Sequence, residues 1–264
     1  MKIITSPAQM QRQALLLKRR EKTIAFVPTM GALHEGHLSL VRRARALADI
    51  VVVSIYVNPT QFGPKEDFSR YPRPLKKDCA LCRREEVDIV FAPKNLYHAD
   101  ASTVVEETSR SQGRCGAFRP GHFCGVATVV CKLFNIVQPD IAVFGQKDAQ
   151  QCEVIERMTR DLFLPVKIIR APILRDKNGL ALSSRNQYLS PEEYQQALNF
   201  PRALKEAVSE GKTIQQVEQK ARALLRQHRG WKMDYVTCAN GFLCAAVRIG
   251  KTRLIDNLRC RLKT

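Results

Sequence analysis

The sequence predicts an α/β fold, in which a doubly wound parallel sheet is followed by a smaller C-terminal α+β domain. Short apolar segments alternate with amphipathic helical segments from residue 8 to residue 169, an order typical of parallel strands joined by helices. Residues 50–57 form an apolar run interrupted only by Ser54, which indicates a strand covered on both faces. After Pro172 the pattern changes to polar turns, helices and short strands. We therefore place a domain boundary near residue 173.

The spacing of apolar residues predicts each element in turn. Helices are expected at 8–20, 36–48, 73–86, 124–137 and 149–160, and strands at 24–27, 50–57, 88–92, 141–144 and 167–169. Residues 98–121, which contain several glycines, are expected to form a long irregular loop. The C-terminal domain is expected to have helices at 191–209 and 213–228, and strands at 233–239, 243–248 and 252–256.

The charge of the chain limits its partners. The formal net charge of the 264 residues is +18, which favours either a nucleic-acid partner or anionic small substrates. The basic residues are spread along the chain without interleaved aromatic residues, so sequence-specific RNA recognition is not indicated. We expect no nucleic-acid partner, and a basic nucleic-acid-binding protein is kept as an alternative.

The cysteines and the first residues indicate the compartment. Nine cysteines are an odd number in a long chain, which argues against a disulfide framework. Cys79 and Cys82 form a single C-x-x-C pair in a helical segment, without the second pair that a zinc site requires. No apolar run reaches the roughly 18 residues of a membrane span. Polar residues interrupt the first twenty residues, which argues against a signal peptide. We expect a cytoplasmic protein with no membrane association.

Residues 24–47 carry the most distinctive pattern, which consists of a buried strand, a loop that contains Gly31, and an amphipathic helix from about Gly36. His34 and His37 are three residues apart, so a helical turn places both on one face. At a helix N-terminus, unpaired N–H groups and the helix dipole attract anions. We interpret the pair as a site for phosphate oxygens, with a structural or surface role as the alternative. The pair lacks the four-residue spacing of the zinc protease motif, and no metal-ligand set is predicted.

Two further loops, 58–62 and 145–148, also follow predicted strands. Ligands of doubly wound sheets bind at the carboxyl ends of the strands, so we expect these loops to lie near the histidine loop. Lys147, together with Ser183, Ser184 and Arg185 of the C-terminal domain, adds donors suited to phosphate. Many donors without an evident nucleophile favour nucleotidyl transfer, in which positioning and charge neutralisation supply the catalysis. Neither serine lies in a G-x-S-x-G elbow, so a serine hydrolase is not indicated.

The segment Pro28-Thr29-Met30-Gly31-Ala32-Leu33-His34-Glu35-Gly36-His37 resembles the signature of the pantothenate synthetase (pantoate–β-alanine ligase) family. Its His-x-Gly-His part alone would indicate only the wider nucleotidyltransferase superfamily, which includes class I aminoacyl-tRNA synthetases. Further matches follow in collinear order over nearly the whole chain: Val57-Asn58-Pro59, Gln61-Phe62, Arg119-Pro120-Gly121-His122-Phe123, Gln138-Pro139-Asp140, Phe144-Gly145, Lys147-Asp148, Gln151, Leu182-Ser183-Ser184-Arg185-Asn186 and Arg253-Leu254-Ile255-Asp256-Asn257.

The resemblance implies an ATP-dependent ligase. The carboxylate of pantoate would attack the α-phosphorus of ATP and release pyrophosphate. The amine of β-alanine would then attack the resulting pantoyl-adenylate and release AMP. Mg²⁺ would share the charge of the phosphates. The family also suggests a homodimer that forms through the first domain.

The resemblance also implies roles for matched positions. Residues 1–173 would form a Rossmann-like domain that binds nucleotide and pantoate, and residues 174–264 a lid. Gln61 and Gln151 would hydrogen-bond pantoate, and His37 would donate a proton. The implied catalytic residues are His34, His37, Lys147, Ser183, Ser184 and Arg185. The implied ATP-binding residues are Met30, Gly31, Ala32, Leu33, His34, Glu35, Gly36, His37, Gly145, Gln146, Lys147, Asp148, Leu174, Leu182, Ser183, Ser184 and Arg185.

The sequence departs from the family at a few positions. Thr60, Cys124 and Gln146 stand where the family usually has Met, Arg and Glu. The segment between Ala239 and Phe242 is too short for the strand and loop expected there. No matched catalytic position is lost. Another adenylate-forming or nucleotidyl-transferring enzyme, with a different acid or amine substrate, is the remaining alternative.

Overall fold

The structure, a computed structural model, describes residues 1–64 and 66–260. Its strands and helices are, in chain order, β1 (Lys2–Ile4), α1 (Pro7–Arg19), β2 (Ile24–Thr29), α2 (Glu35–Arg45), β3 (Ile50–Ile55), α3 (Leu75–Arg84), β4 (Ile89–Phe91), α4 (Arg114–Phe118), α5 (His122–Val137), β5 (Ile141–Gly145), α6 (Ala149–Asp161), β6 (Lys167–Ala171), α7 (Pro191–Ala197), α8 (Asn199–Glu210), α9 (Ile214–Arg226), β7 (Lys232–Ala239), β8 (Phe242–Ile249) and β9 (Thr252–Arg259). Short 3-10 segments cover Pro59–Gln61, Gln146–Asp148 and Ser184–Tyr188. Among the described residues, no helix is long and apolar enough to cross a membrane.

The chain forms two compact units. The first contains Met1–Gln112, Arg119–Gln146 and Gln150–Pro172, and the second contains Gly113–Phe118, Lys147–Ala149 and the described chain from Ile173 onwards. The predicted boundary near residue 173 places Gly113–Phe118 and Lys147–Ala149 in the first domain, whereas they belong to the second unit in the structure. Their contacts explain the difference, because the Tyr235 hydroxyl lies 3.2 Å from Cys115 Sγ and the Asn257 side-chain amide donates to the Lys147 carbonyl at 3.1 Å.

The first unit contains a parallel sheet. Within the described ranges, β1, β4, β3, β2, β5 and β6 lie side by side in that order, and all pairings are parallel. The predicted doubly wound fold class is therefore confirmed. Val27, Val53, Val90 and Val143 are buried in one apolar cluster with residues of α2 and α3, which stabilises the sheet by removing apolar surface from water. Because β3 and β5 flank β2, the carboxyl ends of β2 and β5 form a topological switch point.

The second unit contains an antiparallel sheet, β7-β8-β9, whose apolar side chains pack with those of α8 and α9. Asn240 and Gly241 join β7 to β8 with φ values of 49° and 78°. These values and the pairing of Ala239 with Phe242 describe a two-residue hairpin, for which Asn-Gly is the favoured sequence. This turn accounts for the short segment noted in the sequence, since it joins the two strands directly.

Three elements differ from the sequence-based predictions. The sequence pattern does not predict β1, because this strand has only three residues, of which two are exposed. Residues 114–118, expected in a loop, form α4. The single helix expected at 191–209 is divided into α7 and α8 near Leu198. Pro201 explains the division, since it has no N–H group to donate to the carbonyl of Ala197.

Gly125 of α5 allows this helix to pack closely against the Pro59–Gln61 turn. A Cβ built on Gly125 would lie 2.5 Å from the Thr60 carbonyl oxygen and 2.7 Å from the Gln61 nitrogen. We predict that Gly125→Ala lowers the free energy of unfolding by about 1–3 kcal/mol, although alanine is the better helix former.

Denaturant titration measures this effect. Gly63→Ala is the matched control, because its methyl group would lie 3.8 Å from the nearest atom, on Glu66. A wild-type unfolding midpoint for Gly125→Ala would show that the turn and the helix are not tightly packed.

Candidate active site

The loop between β2 and α2 has a left-handed backbone. Gly31 and Ala32 have φ values of 81° and 50°, a region that residues with side chains rarely adopt. Thr29 supports the turn, since its hydroxyl accepts from the Gly31 N–H at 3.1 Å and donates to the Ser54 carbonyl at 2.7 Å. The turn brings the chain from the end of β2 directly to the start of α2.

Asp78 of α3 holds this loop in place. Its buried carboxylate accepts from the Ala32 N–H at 2.9 Å and from the Leu33 N–H at 2.8 Å. Burial raises the pKa of Asp78, and these two hydrogen bonds act in the opposite direction. A Cβ on Gly31 would lie 2.9 Å from Asp78 Oδ2, so glycine is needed for the carboxylate to come this close. The two hydrogen bonds offset the strain of the left-handed Ala32.

His34 and His37 cap the start of α2 with their rings. His34 Nδ1 accepts from the Gly36 N–H at 3.1 Å, and His37 Nδ1 accepts from the His34 N–H at 3.4 Å, forming a capping box. The ring centroids are 4.1 Å apart. Because each Nδ1 is an acceptor, the neutral ring carries its proton on Nε2. Both rings therefore have Nε2–H donors at the positive end of a helix.

Gly145 and Gln146 lie at the switch point, at the end of β5 beside β2. Beyond the chain neighbours of Gly145, no described atom lies within 4 Å of a Cβ built there, which leaves space for a ligand close to the backbone. Gln146 is buried, and Arg170 Nη1 donates to its Oε1 at 3.4 Å. The loop after β5 thus begins next to the loop that leads to the histidines.

Gln151 is partly exposed on the first turn of α6. Its neighbour Gln150 is buried and donates to the carbonyls of Arg110 and Gln112 at 3.0 and 3.1 Å. Gln150 thereby fixes part of the long segment that the sequence predicts as irregular.

The backbone of Gln61 is fixed by two residues of the Arg119–Phe123 motif. His122 Nδ1 donates to the Gln61 carbonyl at 2.9 Å, and Arg119 donates to the same oxygen at 3.4 Å. Arg119 also donates to His122 Nε2 at 2.9 Å and to Glu66 at 2.6 and 2.7 Å. Burial of Glu66 opposes its ionisation, but the bonds from Arg119 hold its pKa below the usual value.

The side chain of Gln61 is buried between two loops. Asn58 Nδ2 donates to Gln61 Oε1 at 3.2 Å, and Gln61 Nε2 donates to Met30 Sδ at 3.1 Å. Met30 immediately precedes Gly31, so the Gln61 amide lies beside the histidine loop. The first unit thus brings together Met30–His37, Gly145, Gln146 and Gln61 at the carboxyl ends of neighbouring strands.

The remaining predicted site residues belong to the second unit. Lys147 Nζ lies 3.7 Å from Asp148 Oδ2. Leu174 and Leu182 face each other across a hairpin, in which the Leu182 N–H donates to the Leu174 carbonyl at 3.0 Å. Leu174 is 37% exposed, so an apolar side chain is available on this hairpin.

Ser183 begins the 3-10 segment Ser184–Tyr188, because its hydroxyl accepts from the Arg185 N–H at 3.2 Å. The hairpin before it is held by Arg175, which forms two hydrogen bonds with the buried Asp256 at 2.6 and 2.9 Å. Burial raises the pKa of Asp256, and Arg175 acts against this rise. Ser183, Ser184 and Arg185 are therefore presented by a well-anchored segment.

Sequence reasoning missed Asp78 and assigned no role to Arg119 and His122. One signal for Asp78 is present, because this carboxylate lies on the same helical face as the buried Cys82. The C-x-x-C pair itself is buried with free thiols, and burial raises the pKa of Cys82 to about 12.

Comparisons with known proteins agree on one family. Residues 2–259 match the family model described as pantoate-beta-alanine ligase. The chain is 48% identical to pantothenate synthetase 1 of Bradyrhizobium diazoefficiens, over 98% of each protein. It is 49% identical to pantothenate synthetase of Sulfurihydrogenibium sp., over 98% of this chain and 99% of the relative.

The chain belongs to the pantoate–β-alanine ligase family. Solved structures agree. Pantothenate synthetase from Thermus thermophilus has a TM-score of 0.91 at 41% identity, covering 98% of this chain and 99% of that one. Pantoate-beta-alanine ligase from Francisella tularensis, complexed with β-γ ATP and β-alanine, has a TM-score of 0.87 at 35% identity, covering 100% and 99%. The predicted family is thus confirmed, and this ligase condenses pantoate with β-alanine in an ATP-dependent reaction.

Asp78→Asn tests the anchor of the histidine loop. The asparagine NH₂ group would face one of the two backbone N–H groups, so we predict a loss of about 1–3 kcal/mol in unfolding free energy. Displacement of the loop should also lower kcat roughly 10- to 100-fold. Denaturant titration and steady-state turnover measure the two effects.

Asp161→Asn is the control for this substitution, because Asp161 is exposed and forms an ion pair with its chain neighbour Arg160 at 2.7 Å. Surface substitutions of this kind change stability by about 0.5 kcal/mol at most. Wild-type stability and turnover of Asp78→Asn would contradict the anchoring role.

Proposed function

We propose that His34 and His37 donate hydrogen bonds to phosphate oxygens of ATP during ligation. Their Nδ1 atoms are acceptors within the capping box, so each neutral ring donates through Nε2. The start of α2 adds partial positive charge. These groups would stabilise the negative charge that develops on pyrophosphate as it leaves. For His37 to donate a proton to it, the ring would enter the step as the imidazolium, give up the 3.4 Å bond from the His34 N–H, and become neutral as the proton leaves.

We assign the remaining ATP contacts to both units. Backbone groups of Gly31, Ala32, Leu33, Glu35, Gly36, Gly145 and Gln146, with Met30, would line the nucleotide site. Lys147 would bind the phosphates and Asp148 the ribose, and the exposed Leu174 would contact adenine. Leu182, Ser183, Ser184 and Arg185 would cover the pyrophosphate. The space beside Gly145 and the anchored Ser183 segment support this assignment.

These contacts suggest different roles for the two domains in substrate binding. Residues 1–173 would bind nucleotide and pantoate, and residues 174–264 would act as a lid. Lys147 and Arg185 both belong to the second compact unit, and both are proposed to bind the phosphates.

Gln61 and Gln151 are proposed to bind pantoate. A neutral amide can donate to a carboxylate or hydroxyl oxygen without adding a charge that competes for the phosphate groups. The Gln61 amide is buried and fixed beside Met30 of the histidine loop, which supports a pantoate position next to ATP.

The chemistry proceeds in two steps. A carboxylate oxygen of pantoate attacks the α-phosphorus, the bond from that phosphorus to pyrophosphate breaks, and pantoyl-adenylate forms. The ionised carboxylate needs no general base, so catalysis depends on positioning and on charge stabilisation at the leaving group. The amine of β-alanine then attacks the acyl carbon, loses a proton and expels AMP.

Mg²⁺ is proposed to arrive with ATP. In the described part of the chain, no group of three or more His, Cys, Asp or Glu side chains is placed to hold a metal ion. Mg²⁺ commonly retains several waters and binds through substrate phosphates, and the triphosphate fits that chemistry. The ion would share the phosphate charge with the imidazoles, Lys147 and Arg185.

Pyrophosphate release from ATP, Mg²⁺ and pantoate, before β-alanine is added, tests the role of His34. In His34→Asn an acceptor suitable for capping α2 is kept, whereas the Nε2–H donor is lost. We predict release that is slower by about 10²-fold or more, with little change in Tm.

His98→Asn makes the same exchange at an exposed position and should release pyrophosphate at the wild-type rate. Rapid release by a folded His34→Asn variant would refute the phosphate-binding role.

We further propose a cytoplasmic homodimer that forms through the first unit. In the described sheet β6 is an edge strand, and Phe163 just before it is 91% exposed. A second copy could pair with this edge and cover the ring. None of the nine cysteines, which all lie in the described ranges, forms a disulfide, as expected in a reducing compartment.

Phe163→Asp tests the dimer surface. A carboxylate at the proposed contact should shift the molecular mass measured by sedimentation equilibrium from dimer to monomer. Leu16→Asp introduces the same charge on α1, where Leu16 is 49% exposed, and should leave the mass unchanged. A dimer of Phe163→Asp with wild-type affinity would exclude this surface.

A further inference from the structure

The side-chain amide of Asn58 has a single possible orientation. Asn58 is fully buried, and its Oδ1 accepts from the Tyr97 hydroxyl at 2.8 Å and from the Thr60 hydroxyl at 3.1 Å. Its Nδ2 donates to Gln61 Oε1 at 3.2 Å and to the Gly125 carbonyl at 3.1 Å. Exchanging the oxygen and nitrogen would place the Asn58 oxygen against the Gly125 carbonyl oxygen, which cannot donate, and would leave both buried oxygens unsatisfied there. The Gly125 carbonyl therefore sets the orientation, and the two hydroxyls, which can donate or accept, satisfy Oδ1 in that orientation.

The orientation of Asn58 determines that of Gln61. Because Asn58 presents N–H to Gln61, the Gln61 oxygen must face Asn58 and the Gln61 NH₂ group must face the opposite side. On that side one N–H contacts Met30 Sδ at 3.1 Å, beside the histidine loop. Gln61 therefore presents donors, and not its carbonyl oxygen, to the site.

Tyr97 has further contacts that hold it next to Asn58. Its carbonyl accepts from Asn95 Nδ2 at 2.6 Å, and its N–H donates to Asn95 Oδ1 at 3.0 Å. The ammonium of Lys132 lies 4.9 Å from the ring centroid. Burial raises the pKa of Tyr97, although its hydrogen bonds with Thr60 and Asn58 act in the opposite direction. The phenol therefore stays protonated at neutral pH and can donate.

We propose that Tyr97 is a positioning residue for the acid substrate. Together with Thr60 it donates to Asn58 Oδ1 and holds in place the amide that the Gly125 carbonyl orients. Through Asn58 it keeps the NH₂ group of Gln61 turned towards pantoate. The inference rests on the proposed binding of pantoate by Gln61. It adds that the acid substrate must place a hydrogen-bond acceptor, such as a carboxylate or hydroxyl oxygen, next to the Gln61 NH₂ group. An acid that has only a donor at this place should bind more weakly.

Thr60 provides the second hydroxyl that contacts Asn58 Oδ1. The Thr60 hydroxyl lies within 3.1 Å of both Asn58 Oδ1 and the Tyr97 hydroxyl, so the two hydroxyls act together on one acceptor. We expect Thr60→Val to weaken pantoate binding less than Tyr97→Phe does, because the bond from Tyr97, at 2.8 Å, is shorter than the bond from Thr60, at 3.1 Å.

Steady-state kinetics of the full chain test the proposal through a double-mutant cycle. Tyr97→Phe should raise the KM for pantoate about three- to tenfold, as expected for one hydrogen bond, and leave the KM for ATP unchanged. Gln61→Ala should also raise the KM for pantoate. In the Gln61→Ala background, Tyr97→Phe should add less than about twofold, because the residue through which it acts is gone.

Tyr56→Phe is the matched control. Tyr56 is a buried tyrosine directly after β3, so Tyr56→Phe removes a buried phenolic hydroxyl of the same kind without removing a partner of the Asn58 amide. It should leave the KM for pantoate unchanged.

Three results would decide against the proposal. An equal rise in the KM for pantoate with Tyr56→Phe, or a full Tyr97→Phe effect in the Gln61→Ala background, would assign Tyr97 a structural role only. A wild-type KM for pantoate in Tyr97→Phe, when Gln61→Ala raises it, would also overturn the positioning role. An unchanged KM for pantoate in Gln61→Ala would instead overturn the proposed pantoate contact itself.

Discussion

The contact between the Asp78 carboxylate and the Ala32 and Leu33 N–H groups is the constraint on which the candidate site depends. A chain that leaves a buried strand must turn sharply to start a helix at the edge of the sheet, and here it does so through two left-handed residues. Such a backbone is costly unless the surroundings hold it. Asp78 on α3 holds this backbone with two hydrogen bonds, and the start of α2 is therefore fixed at the switch point.

Backbone hydrogen bonds also determine what the histidines can do. His34 and His37 accept N–H groups at Nδ1, which places the proton of each neutral ring on Nε2. His122 donates from Nδ1 to the Gln61 carbonyl and accepts from Arg119 at Nε2, so its proton is on the other nitrogen. A histidine ring thus presents an Nε2–H donor in one place, and in the other it supports the backbone of Gln61, which is proposed to bind pantoate. The hydrogen-bond partners of each ring determine which nitrogen carries the proton, and this position distinguishes the two roles.

Much of the fold could be predicted, because it follows from local patterns. The apolar run at residues 50–57 indicated a strand covered on both faces, and the histidine pair after a strand and a glycine loop indicated a helix start. The helical face that Asp78 shares with Cys82 indicates its burial, but its role could not be recognised, because its partners are backbone groups 45 and 46 residues away. The assignment of Lys147 to the second unit depends on Asn257, 110 residues later. Contacts of this range leave no periodic signal, and the roles of Lys147, Ser183 and Arg185 accordingly remain predictions.

The position of the ring protons tests the account most directly, because the proposed contacts with phosphate require donors at Nε2. A long-range ¹H–¹⁵N NMR spectrum of the protein, labelled with ¹⁵N in its histidine rings and recorded above the pH at which the rings become neutral, reports this position for each histidine. The account predicts that His34 and His37 carry the proton on Nε2, while His122 carries it on Nδ1 and serves as an internal reference. Protons on Nδ1 of His34 and His37 would contradict the capping geometry and remove the proposed donors to ATP.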